Sequence, residues 1–216
     1  MMRKTILVVF FLAMIFQGRS FAAEGKSVKL PPPQRENGKP LMQALGERHS
    51  SREFSPEEIS LQTLSNLLWA ANGINRPDGR RTAPSAHNAQ EIDIYVAKRE
   101  ALYLYHADTH ELTSVAQGDF RSFTGKQSFV KDAPVSLIFV TDLEKLSGDS
   151  EQDANFYSNT DTGYISQNVY LYCASEGLAT VVLGWIDRDQ INTILKLRPR
   201  QRVILTQPVG YPKNKK

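Results

Sequence analysis

The chain has one cysteine and four histidines in 216 residues. A lone thiol closes no intramolecular disulfide, so no covalent staple is expected. Cys173 falls in an apolar helical stretch, where a thiol is normally buried and inert. His49, His87, His106 and His110 are scattered, and the last two span an expected turn instead of one helix face, so no metal site is expected. Long apolar runs are missing too. The longest, Ile6–Phe16, has eleven residues, well short of the roughly 18 that a membrane-spanning helix needs.

An excess of one charge is the next absence. Arg3 and Lys4, the run Ile6–Phe16 and the small residues Ser20, Ala22 and Ala23 follow the order of a secretory signal peptide. Residues 1–23 are therefore set aside as a signal; a retained anchor or a buried first helix is the other reading. No acyl-acceptor cysteine follows the run, which speaks against a lipid anchor. The whole chain carries 26 Lys+Arg and 23 Asp+Glu, and subtracting Arg3, Lys4 and Arg19 leaves 23 basic residues against 23 acidic ones. A balance near zero gives no support to a nucleic-acid partner or a general polyanion binder. The chain is expected to be exported, periplasmic or otherwise extracytoplasmic, with no stable membrane insertion once the signal is cleaved.

What remains, about 194 residues, suits one domain with a sizeable core. Residues 24–40, with Pro31-Pro32-Pro33, read as an extended N-terminal arm, either a tether or a segment packed on a partner subunit. The domain then runs over residues 41–216. A short helix is expected over Pro40–Leu45. Ser55-Pro56-Glu57-Glu58 reads as a capping box opening a second helix, carried by Ile59, Leu61, Leu64, Leu67, Leu68 and Ala71 to the Asn72-Gly73 stop. Strands are expected at Ile92–Val96, Ala101–Tyr105 and Val135–Thr141, the first two as a hairpin. A central helix over Asp161–Gly177, a short strand over Thr180–Leu183, a helix capped by Asp187 and a closing strand over Arg202–Val209 complete the order. The fold class is α+β, a mainly antiparallel sheet flanked by helices.

Four segments carry candidate chemistry. Arg48-His49-Ser50-Ser51-Arg52 packs two guanidiniums and two hydroxyls into five residues, the donor set that a phosphomonoester calls for. Pro84-Ser85-Ala86-His87-Asn88-Ala89-Gln90 places small residues and amides before a strand, where an Asn can match the rim of a flat heterocycle. Gly163–Leu178 and Val182-Leu183-Gly184-Trp185 put glycines where a main-chain N–H can approach a ligand closely. Gln207–Lys216 closes the chain with a basic tail. Each taken alone also fits an ordinary surface loop, cap or tail.

In their order and spacing the four segments resemble the flavin-dependent nitroreductase family. Arg48–Phe54 matches its Arg-x-Ser-x-Arg/Lys-x-Phe opening and Pro84–Gln90 its Pro-Ser-x-x-Asn-x-Gln-like loop. Gly163, Gln167, Asn168, Glu176, Gly177 and Leu178 match its central helix, and Val209-Gly210-Tyr211-Pro212 its closing strand. The resemblance covers about residues 41–213. It implies a nitroreductase-like fold, an intertwined homodimer and flavin mononucleotide (FMN) as cofactor. By position, Arg48, Ser50 and Arg52 would hold the phosphate and ribityl chain, with His49 contributing main-chain contacts. Ser85 and Asn88 would face the pyrimidine edge. Val182, Leu183 and Gly184 would line the ring, with the Gly184 main chain nearest the reactive N5, and Lys213 or Lys215 would complete the phosphate site. No side chain is implied as catalytic. The implied reaction is ping-pong hydride transfer from a reduced small-molecule donor, NAD(P)H by the resemblance, to an electron-poor acceptor. The alternative is a non-catalytic FMN-binding or envelope interaction module on the same fold.

Overall fold

The computed structural model describes residues 26–36 and 38–214. The expected signal peptide and Lys215 lie outside them. The order of elements is β1 (Ser27–Lys29), α1 (Leu41–Glu47), α2 (Leu61–Asn72), β2 (Ile92–Ala97), β3 (Ala101–His106), β4 (Glu111–Gln117), β5 (Val135–Asp142), α3 (Glu151–Glu176), β6 (Ala179–Thr180), α4 (Arg188–Leu195) and β7 (Gln201–Gly210). The strands make one seven-stranded sheet in the order β1-β4-β3-β2-β5-β7-β6, antiparallel at every pair. This is the expected α+β class.

The two faces of the sheet make two cores because side chains alternate along a strand. Leu137 and Phe139 of β5, with Ile94 and Val96 of β2, meet Leu64, Leu67 and Leu68 of α2 and Ile165, Val169 and Cys173 of α3. Ile138 and Val140, with Tyr95 and Ala97, meet Val181, Leu183 and Ile186 and, from α4, Ile191 and Leu195 on the other face. All of β5 is buried, as a strand covered on both faces must be. Cys173 is buried and burial pushes its thiol upward, in keeping with an inert role.

Several boundaries differ from those read from the sequence. Residues 26–36 are extended but seated on their own chain: β1 pairs with β4, and Leu30 joins the core. Ser65 Oγ donates to the Pro31 carbonyl at 2.5 Å and meets His110 Nε2 at 2.7 Å, while the Tyr105 hydroxyl meets His110 Nδ1 at 3.0 Å. Ser65 is fully buried, so this chain of contacts fastens the arm and offers no accessible nucleophile.

The second helix starts at Leu61, not at Ser55. Phe54 bridges Pro212 and the Ser55 N–H donates to the Tyr211 carbonyl at 2.8 Å, which keeps the backbone extended past the expected cap. Ser60 caps instead, its Oγ accepting from the Thr63 N–H at 3.0 Å. Buried Ile59 and Leu64 stand at the two positions of a hydrophobic staple. Ser60→Ala is expected to lower stability by about 1 kcal/mol. Ser55→Ala should have a smaller effect, because its Oγ only accepts from the Glu57 N–H in a local turn at 3.2 Å. Urea midpoints of the two variants decide between the caps; the reverse order would restore the Ser55 assignment. The long helix α3 begins ten residues before the expected Asp161, capped by Ser150, since its first turns are polar and carry no apolar period. Thr180–Leu183 is only partly strand: β6 ends at Thr180, and Leu183 makes a separate bridge to Thr206.

Candidate functional site

Arg48 leaves α1 as its C-cap with extended backbone, and the Ser51 N–H donates to the Thr180 carbonyl at 2.9 Å. The Arg48–Arg52 segment therefore lies beside β6. The chain end returns to the same place. Phe54 bridges Pro212, and the Lys213 N–H donates to the Glu53 carbonyl at 3.3 Å, so Lys213 stands across from the residue that follows Arg52. Gly210 makes this approach possible, because a Cβ there would meet Pro134 at 2.4 Å and Phe54 at 3.4 Å.

Tyr170 ties the third segment to these two. Its ring lies under the Arg48 guanidinium, 5.3 Å from centroid to Cζ. Its hydroxyl accepts from the Val182 N–H at 2.9 Å and meets Ser50 Oγ at the same distance. Tyr170 is not singled out by the sequence, where it is one aromatic residue within the expected central helix. The structure thus gathers Arg48, Ser50, Arg52, Val182 and Lys213 at one edge of the sheet. The His49 imidazole is turned back toward α1, Nδ1 meeting the Glu47 carbonyl at 2.7 Å.

Leu183 exchanges both backbone hydrogen bonds with Thr206 and its side chain is buried in the second core, while Gly184 is exposed. A Cβ on Gly184 would meet only Leu205, at 3.7 Å, so the fold of one chain does not itself demand glycine there. Beyond Gly184 a cleft of about 480 Å³ opens between α3 and β7, lined by Asn155, Asn159, Arg188, Arg202, Ile204 and Leu205. Arg188 closes its near wall, donating to the Ile204 carbonyl at 2.9 Å and the Gly184 carbonyl at 3.4 Å.

Ser85 and Asn88 lie elsewhere. Ser85 Oγ accepts from the Gln90 N–H at 3.0 Å, Asn88 Oδ1 accepts from Gln90 Nε2 at 3.2 Å, and the Ala86 N–H donates to Asp161 Oδ2 at 2.8 Å. His87, Asn88 and Gln90 all have φ between 50° and 55°, an uncommon backbone for non-glycine residues. Asp161 and Tyr170 are nine residues apart on α3. At about 100° and 1.5 Å per residue they point to opposite faces, about 13.5 Å apart along the axis. One chain therefore does not bring Ser85 and Asn88 to the edge that holds Arg48, Ser50 and Val182.

The loop is followed by Glu91, whose carboxyl is pushed up to about 7 by burial first and by the charge of Asp161 second. Among the described residues no group of three His, Cys, Asp or Glu could hold a metal, and no helix is long and apolar enough to cross a membrane. Large apolar side chains stand exposed on α1 and α3 and beside Gly184: Leu41, Met42, Leu45, Phe156, Tyr164 and Trp185, with Met42 at 77% and Trp185 at 65%.

Residues 45–211 match the sequence profile of the Nitroreductase family. A protein of Methanocaldococcus jannaschii named as a nitroreductase is 30% identical over 196 residues, which is 86% of this chain and 98% of that one. A crystal structure from Ralstonia eutropha, likewise named as a nitroreductase, is 39% identical with a TM-score of 0.84, covering 89% of this chain and 92% of that one. The NADPH:FMN oxidoreductase of Vibrio harveyi, solved with NAD+, shares the fold at a TM-score of 0.60 and 19% identity, covering 81% of this chain and 69% of that one.

Proposed function

The chain belongs to the nitroreductase family, whose members are FMN-dependent oxidoreductases, and on that premise we propose that it is an exported flavoenzyme acting on small molecules. The observation that carries the proposal is that the Arg48–Arg52 segment and the chain end at Lys213 meet at one edge, with Tyr170 joining Arg48 and Ser50 to Val182. Two guanidiniums, a hydroxyl and an ammonium fit a phosphate, because planar and point cations together with a short hydroxyl donor match its oxygens. Val182 is tied to that edge by Tyr170, and the Gly184 carbonyl accepts from Arg188 at the wall of the cleft, which leaves a flat ring room to lie along them. When bound, FMN supplies hydride transfer at N5, from a reduced donor to an electron-poor acceptor in a ping-pong cycle.

The protein's own part is to orient and to tune charge. Arg48 and Arg52 would anchor the phosphate, Val182 and the Gly184 main chain would face the ring, and Leu183, buried and bonded to Thr206 on both sides, would hold that backbone in place. Arg188 and Arg202 put positive charge around the cleft, which favours an anionic reduced ring and acidic substrates. Ser85 and Asn88 serve the pyrimidine edge from the partner subunit of a homodimer. This reading draws support from their separation along α3 and from the exposed Phe156, Tyr164, Leu41 and Met42, an apolar surface of the kind that subunit interfaces cover.

The rival, a flavin-binding module without catalysis, requires a side chain over the ring. Trp185 projects into solvent and Phe123 packs tilted against Phe120 at 6.3 Å, which favours the enzyme. The family relationship points to NAD(P)H as donor, while export favours a small reductant available outside the cytoplasm. Anaerobic mixing of the purified yellow protein with NADH, NADPH and a quinol is expected to bleach the flavin absorbance with at least one of them, and a nitroaromatic or quinone to restore it. Absorbance that none of the donors changes would move the chain to the module.

A further inference from the structure

Glu91 joins the Pro84–Gln90 turn to β2. It is fully buried, and neither carboxyl oxygen has a hydrogen-bond partner among the described residues. An ionised carboxylate is not left in that state; the group takes up a proton instead. The charged groups around it do not outweigh burial, although Lys145 draws the carboxyl down a little. From α3 comes Asp161, a second acid. Arg81, which lines the same small cavity, donates Nε to Gln90 Oε1 at 2.9 Å and Nη1 to the Asn72 carbonyl at 3.1 Å. Lys145, in the turn after β5, donates to the Gln90 carbonyl at 3.1 Å and pairs with Asp93 of β2 at 3.3 Å. The cavity shared by Glu91 and Asp161 measures about 10 Å³, room for one water at most.

Asp161 is also the anchor of the turn, through the Ala86 N–H. Three non-glycine residues with positive φ follow within four positions, and such strain persists only where the surroundings hold it. We propose that Glu91 is a positioning residue carried as the neutral acid, and that with Asp161 it forms a proton-dependent latch holding the Pro84–Gln90 turn in its strained shape. Loss of the proton leaves two negative charges side by side in a space that admits almost no water, and opening the turn hydrates them. The folded acid keeps its proton over a range where the unfolded chain has lost it. The closed turn is therefore most stable below the ordinary carboxyl value of 4.5 and loosens as pH rises through about 7. The functional consequence, weaker FMN capture at high pH, rests on the flavin-binding role proposed for Ser85 and Asn88.

The test compares wild-type protein with Glu91→Gln, which keeps the shape and cannot ionise. Two readouts are followed from about pH 5.5 to 8.5, amide hydrogen exchange of residues 85–90 without flavin and the dissociation constant for FMN. His87, with Nε2 3.5 Å from Asp149, and the FMN phosphate are present in both proteins, so their contributions cancel in the comparison. Relative to the variant, wild-type exchange in the turn is expected to quicken with pH and FMN binding to weaken by about tenfold across the range. Coinciding pH profiles in the two proteins overturn the latch. A pH-dependent turn in a protein that binds no FMN at any pH upholds the latch and removes the flavin role of the loop instead. Should Glu91→Gln fail to fold, Asp161→Asn keeps an acceptor for Ala86 and deletes the neighbouring charge. Without the charge that raises Glu91, the loosening should then become smaller and be complete at lower pH, and an unmoved profile overturns the proposal.

Discussion

Replacing Arg48 by alanine is expected to weaken FMN binding by about 1.5–3 kcal/mol, and Arg52→Ala by a similar amount, the range for hydrogen bonds to a charged partner. That is roughly a ten- to 150-fold rise in the dissociation constant. Both arginines flank Ser50 on the segment laid beside β6, and Arg48 is already oriented by the ring of Tyr170. An arginine held in place before the ligand arrives loses less freedom when it binds, so its removal is felt more fully. Arg35 provides the control. It also lies over an aromatic ring, Trp69 at 5.0 Å, but Trp69 belongs to α2 and bonds to Ile74 and Thr82, not to the Arg48–Arg52 segment. Arg35→Ala should leave FMN affinity unchanged, and losses of equal size in Arg35 and Arg48 variants would point to a general charge effect.

Tyr170→Phe is the second large effect. The ring and its contact with Arg48 stay, while one oxygen is removed and two partners lose their bond. Ser50 Oγ can turn to water. The Val182 N–H, on a half-buried residue beside buried Leu183, is less free to do so, and an orphaned buried donor costs about 1–3 kcal/mol. Stability measured by urea unfolding should fall within that range. FMN affinity should fall as well, because the same hydroxyl sets the spacing between Ser50 and Val182. A variant that loses stability but binds FMN as tightly as wild type would make Tyr170 structural only.

The β-strands were legible in outline because β2, β3, β5 and β7 are apolar and bounded by polar turns. Where the boundaries slipped, long-range contacts decided. The capping box at Ser55 is sound local chemistry, but the pairing of Phe54 with Pro212 and of Ser55 with Tyr211 outweighs it. β1 was hidden because its three residues gain strand structure only by adding to the edge of β4. The polar start of α3 is helical through its Ser150 cap and its packing, not through an apolar period. For the site, the order of the segments and the family they resemble grouped Arg48, Ser50 and Arg52 with Lys213 or Lys215. Their meeting point depends on Tyr170, and a tyrosine in an apolar helix carries no mark of the two hydrogen bonds it makes. Glu91 was equally silent, since the burial that shifts its titration belongs to the folded chain.

In the proposed function the Arg48–Arg52 edge grips the phosphate of a flavin. The most direct measurement is titration of the wild-type protein, with no variant needed, by FMN and by riboflavin, which lacks the phosphate. Two or three charged hydrogen bonds predict FMN to bind about a hundredfold or more tightly than riboflavin. Equal affinity for the two, or no binding of either, would contradict it.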